Sequence, residues 1–146
     1  MPMNVILQAV LFTALLIYAA LKDVQTREIS PYLCIGIACL SLLDFHPENL
    51  LGLSIPVILW ACATWICPDQ LGGGDIKLTT AVSVLIGFTA AAYGIIIALT
   101  LELLIFQRIK RKLTKQEARN YSMPLAPFLA VGFLITYFMK LGGLTI

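Results

Sequence analysis

The chain has 146 residues, 60% of them hydrophobic and 12% charged, with a mean hydropathy of +0.92 and a formal net charge of +2. This leaves too little polar surface to coat a water-soluble globule and no room for a separate soluble domain. The expected fold class is all-α, a polytopic membrane protein forming one domain over residues 1–146. Spanning helices take about 20 mostly apolar residues each, so the length admits roughly five to seven short spans.

The first apolar window runs from Asn4 to Leu21. No basic residue precedes it and no small-residue cleavage signature followed by polar sequence ends it, so it reads as a retained helix and not a removable signal peptide. A charged break from Lys22 to Glu28 leads to a second window, Ile29 to Leu43, where Ser30 can cap a helix that has Pro31 at its first position. A break with Asp44, His46 and Glu48 precedes a third window, Leu50 to Ile66. Next come Gly72, Gly73, Gly74 and Asp75, then a long apolar stretch from Ile76 to Gln107, a basic loop, and a last window from Pro124 to Leu141.

The long stretch is either one tilted helix or a hairpin of two short helices turning near Gly87, Phe88 and Thr89. Charge decides between them, because Lys and Arg mark cytoplasmic loops. Lys77 stands before the stretch, and Arg108, Lys110, Arg111, Lys112, Lys115 and Arg119 follow it. Both groups lie inside only if an even number of crossings separates them. The stretch is therefore predicted to be a hairpin, which gives six spans with both termini outside. Lys140 is then the one basic residue left on the outer side. Tyr18, Tyr32, Trp65 and Tyr121 fall near the cytoplasmic headgroup level, which suits amphipathic rings. Each hairpin arm is expected to have about 15 residues, about 22 Å of helix against a hydrocarbon core of about 30 Å.

An aspartate at the mouth of an apolar run is costly in lipid and marks a functional site by default. The same topology sets Asp23, after the first span, at the depth of Asp75. Two carboxylates that approach closely do not both ionise comfortably, and such a pair can run acid–base hydrolysis: one activates water while the other hydrogen-bonds to the scissile carbonyl. The residues alone leave open which aspartate plays which part.

These residues resemble the type IV prepilin peptidase family, membrane aspartic proteases with a Gly-x-Gly-Asp motif. Asp23 with Thr26, Arg27 and Ile29 looks like the family's first-aspartate segment, although Ser30-Pro31 stands where Pro-Asn is usual. Gly72 to Leu78 matches the second-aspartate motif, Lys77 included, and Pro124 to Ala130 looks like the last-helix segment with Leu125 and Ala126 as departures. The resemblance implies Asp23 and Asp75 as catalytic residues, a prepilin substrate with a short basic leader cut on the cytoplasmic side after a glycine, and a location in the inner membrane.

The cytoplasmic insert with paired Cys-x-x-Cys motifs found in larger family members is absent, so cleavage without methylation is expected, as in the short peptidases of Flp-type pili. The glycines from Gly72 to Gly74 are expected to take the substrate's extended backbone or else to allow a tight turn or close helix packing. Lys77 is expected to contact a substrate carboxylate, bias the aspartate pair toward ionisation, or snorkel to the interface. Membrane lipid is the other expected partner, with no nucleic acid, no cofactor and no metal site. Cys34, Cys39, Cys62 and Cys67 read as small buried hydrophobes, and His46 is given no role. Glu102 is expected to face the site, to carry a proton, or to lie at the interface. With Asp75 it also defines a competing reading, a proton- or cation-coupled transporter. A third reading is a noncatalytic assembly subunit.

Overall fold

The computed structural model describes residues 3–65, 72–111 and 123–143. Six α-helices occur among them: α1 (Met3–Thr26), α2 (Pro31–Leu40), α3 (Ser54–Trp65), α4 (Gly73–Ile86), α5 (Phe88–Lys110) and α6 (Ala126–Leu141). A 3-10 turn extends α2 over Ser41–Leu43, and another, Pro47–Leu53, leads into α3. No strand is present among the described residues. The segments Met3–Thr26, Pro47–Trp65 and Phe88–Lys110 are long and apolar enough to cross a membrane, while Pro31–Leu43 and Ala126–Leu141 are shorter apolar helices.

The core is built from Phe12 and Leu16 of α1, Ile37 of α2, Leu78, Val82 and Ile86 of α4, and Phe133 of α6. Outward positions are equally apolar: Ile6, Val10, Val57, Trp60, Ile96 and Leu103 are all exposed. Exposed apolar residues on so many helices are the reverse of a soluble surface and suit lipid contact.

Lipid is as apolar as these side chains, so the helices must associate through close packing, which small residues permit. The α5–α6 pair shows how. A Cβ on Gly132 would collide with the carbonyl oxygen of Gly94, and one on Gly94 would lie 2.6 Å from the Phe133 ring.

The expected hairpin is present. Helix α4 stops at Ile86, Gly87 takes φ 84°, and α5 begins at Phe88. The two arms are unequal, however: α4 has 14 residues and α5 has 23. The expectation of two short arms fails chiefly because the turn is off centre, Gly87 lying 11 positions after Ile76 and 20 before Gln107; α5 then continues through Arg108 and Lys110, charged residues that make good helix formers and suit the negative end of a helix. A second difference concerns Asp23, which lies inside α1 and is 8% exposed, not in a break after the first span. Ser30 takes the N-cap position with Pro31 following, but its side chain makes no capping bond. Cys34 is buried, Cys62 half-buried and Cys39 exposed, so the buried-hydrophobe reading fits Cys34 best. Tyr18, Tyr32 and Trp65 are exposed. Cys67, Tyr121 and most of the basic loop lie outside the described residues.

Candidate active site

Asp23 is fixed by the way α1 ends. The Arg27 N–H donates to the Asp23 carbonyl at 2.9 Å, and Arg27 takes φ 54°, the left-handed closure usually given to glycine. A non-glycine residue there costs about 1 kcal/mol, and the helix stops one turn beyond the aspartate.

The Asp23 side chain then reaches the start of α6, where Oδ2 accepts the Ala126 N–H at 3.1 Å. That bond completes the helix start. Pro127 has no N–H, Phe128 and Leu129 donate to the Leu125 carbonyl at 3.0 and 3.1 Å, and Ala126 would otherwise be an orphan donor. The Asp23 and Pro124-to-Ala130 segments are thus two halves of one junction.

Asp75 sits in the first turn of α4, where a carboxylate faces the positive end of the helix dipole. The three glycines before it have separate surroundings. A Cβ on Gly72 would lie 2.9 Å from Asp75 Oδ2, so this position must be bare for the carboxylate to fold back over the helix start. A Cβ on Gly74 would lie 3.3 Å from Ile29, which lets the α1–α2 turn pack against α4. Gly73 has nothing within 4 Å and opens onto free space. Of the three, Gly73 has the surroundings that the substrate-backbone expectation needs.

Asp23 and Asp75 interact electrostatically, and Glu102 of α5 interacts with Asp75 as well. Asp75 Oδ1 is buried without a hydrogen-bond partner. Lys77 is exposed and stands two residues from Asp75, a spacing that does not put side chains on one helix face. At the other end of α4, His46 pairs with Asp44 at 3.4 Å. No group of residues able to hold a metal ion occurs among the described residues.

Two features of the site escaped the sequence reading. The Ala126 N–H has no side-chain signature, although Pro127 in the first turn of a helix hints at a junction that needs few donors. Thr79 and Ser83 follow Asp75 at one-turn intervals, are 1% and 0% exposed, and have hydroxyls without partners. Their spacing was legible, but their isolation was not.

Comparison with known families matches the chain to the type IV leader peptidase family over residues 10–107, a span that includes Asp23, Asp75 and Glu102. No curated protein and no solved structure matches the chain.

Proposed function

Since the chain belongs to the type IV leader peptidase family, an aspartic-type group of hydrolases acting on prepilin-like substrates, we propose that Asp23 and Asp75 are its catalytic pair. The observation that carries this reading is their convergence. One comes from the end of α1 and the other from the start of α4, they interact electrostatically, and Asp75 keeps a buried oxygen unpaired.

In the proposed reaction one carboxylate takes a proton from water as that water attacks the scissile carbonyl carbon. The protonated partner hydrogen-bonds to the carbonyl oxygen. Collapse of the tetrahedral intermediate breaks the C–N bond, and a carboxyl proton passes to the leaving amine. Apparent ionisations belong to the pair and not to either residue.

The finer reading adds six spans with both termini outside, location in the inner membrane, and cleavage of a Flp-type prepilin leader at the cytoplasmic face without methylation. The distribution of Lys and Arg and the missing cysteine-bearing insert support it. The transporter reading built on Asp75 and Glu102 gains nothing from the family match.

The test is reconstitution with prepilins, comparing wild type with Asp23→Asn and Asp75→Asn. Each near-isosteric change is expected to abolish cleavage. Retained processing in either variant would sink the two-aspartate mechanism.

A further inference from the structure

The inward face of α5 does not end with its apolar residues. Ala91, Ile95 and Ala98 are buried at intervals of three or four, and the next position on that stripe is Glu102. Glu102 is half-buried while Leu103, Leu104 and Ile105 beside it are exposed. The register with α6 fixes its level. Gly94 lies against Phe133 and Thr136, and Ala98 against Gly132, so the two helices run antiparallel. One further turn brings Glu102 level with the first turn of α6, whose Ala126 N–H is held by Asp23. Side chains on a helix lean toward its N-terminus, which tilts Glu102 back into the bundle, and Asp75 does feel its charge.

At that place Glu102 has no hydrogen-bond or ion-pair partner among the described residues. Asp75, whose charge environment includes Glu102, is also unsatisfied among the described residues: its Oδ1 is unpaired, and Thr79, one turn further along the same face of α4, is 99% enclosed with an unpartnered hydroxyl. Nearby Lys77 is exposed and points to another side of α4. A partly buried carboxylate without a partner is costly unless something arrives to pair with it.

We infer that Glu102 is a specificity-determining residue of the site, receiving a positively charged side chain of the substrate segment that lies across Asp23 and Asp75. This rests on the protease reading above. An ionised carboxylate accepts hydrogen bonds and carries a negative charge, so the complement that both donates to it and neutralises it is a lysine or arginine. With Asp23 and Asp75 close by, an acidic substrate residue at the same subsite is repelled.

The experiment is a charge swap. Cleavage kinetics are measured for wild type, Glu102→Gln and Glu102→Lys on a pilin-type precursor and on variants of it. In each variant one Lys or Arg near the scissile bond is replaced by Gln or by Glu. Glu102→Gln is expected to lower kcat/KM on the parent substrate about 10- to 100-fold, chiefly through KM. It should also erase the difference between the parent and one particular Lys-to-Gln or Arg-to-Gln substrate. Glu102→Lys is expected to lose more and to be partly rescued by Glu at that same substrate position and no other.

Equal losses on every substrate, with no rescue, would overturn the inference and leave Glu102 a structural residue; so would unchanged kinetics. Should the lysine variant fail to fold, the glutamine variant and the substrate series still form a complete cycle. Cleavage of the parent by wild type reports separately on the protease reading, and a wild type that cuts none of the set takes down both.

Discussion

The two ends of α4 are built on opposite rules. At the Gly87 end the backbone is fastened. Asn49 Nδ2 donates to the Leu85 carbonyl at 2.9 Å, Lys140 Nζ donates to the Ile86 carbonyl at 2.9 Å and to Asn49 Oδ1 at 3.2 Å, and the Gly87 N–H donates to the Ser83 carbonyl at 2.9 Å, so three of the last four carbonyls of the helix have donors. Lys140, the basic residue that the charge count left on the far side, is the cation that suits the negative end of α4. Gln8 belongs to the same end, donating to the Leu40 carbonyl and accepting from Tyr137.

At the Asp75 end the carboxylate is left open. Three side-chain atoms are buried and unpartnered among the described residues, and they run along α4 at one-turn spacing from its first turn to its last: Asp75 Oδ1, Thr79 Oγ1 and Ser83 Oγ. Elsewhere hydroxyls are satisfied locally, Thr13 by the Ala9 carbonyl, Thr80 by Ile76 and Thr136 by Gly132. Each unsatisfied group costs about 1–3 kcal/mol. A helix whose backbone is fastened at its last turn, while the carboxylate of its first turn keeps an unpaired oxygen, is a rigid support for a reactive group.

The largest effects should separate chemistry from stability at the open end. Asp75→Asn and Asp23→Asn are each expected to lower cleavage at least about 1,000-fold, within the range that loss of an acid–base partner removes, with little change in thermal unfolding measured in detergent. Asp23→Ala should differ by also losing the acceptor for the Ala126 N–H, with a further cost of about 0.5–2 kcal/mol as for a lost helix cap. A thermal midpoint for Asp23→Ala equal to that of Asp23→Asn would show that the α1–α6 junction does not depend on the bond.

The fastened end should respond in the opposite way. Asn49→Leu strips the Leu85 carbonyl of its donor and Lys140 of one of its two acceptors, and is expected to cost about 1–3 kcal/mol of stability while cleavage well below the unfolding temperature stays near wild type. Gly87→Ala adds a Cβ 2.6 Å from Asn49 Oδ1 at a left-handed φ, so its stability loss should be comparable or larger. A strong fall in activity at unchanged stability in either variant would break the division between the ends.

Much of this arrangement was legible in the sequence, for reasons that also set the limit. The turn at Gly87 was readable because glycine favours the left-handed region and the charge on both sides required an even number of crossings. Asp23 and Asp75 were expected at one level from the charge count, and in the structure they are near enough to interact electrostatically. The burial of Asp23 was not readable, since its partner is a backbone N–H 103 residues away with no side-chain mark. The Asn49–Lys140 contact is equally hidden, as it joins a 3-10 turn to the end of the last helix across 91 residues. Long-range bonds to backbone atoms leave no spacing rule in the chain, whereas helix period, glycine and charge asymmetry do.

The smallest expected effects come from the glycines, and they sharpen the contrast most. Gly72→Ala places a methyl 2.9 Å from Asp75 Oδ2. The carboxylate must turn away, so cleavage should fall clearly with the fold intact. Gly73→Ala meets nothing within 4 Å, and alanine is the better helix former by up to about 1 kcal/mol. Its thermal midpoint should therefore hold or rise slightly. If substrate backbone lies against this bare position, the added methyl lowers kcat/KM several-fold through KM, a loss without structural cause in the free protein. Unchanged kinetics in Gly73→Ala, beside a clear loss in Gly72→Ala, would assign the glycine run to the placement of Asp75 alone.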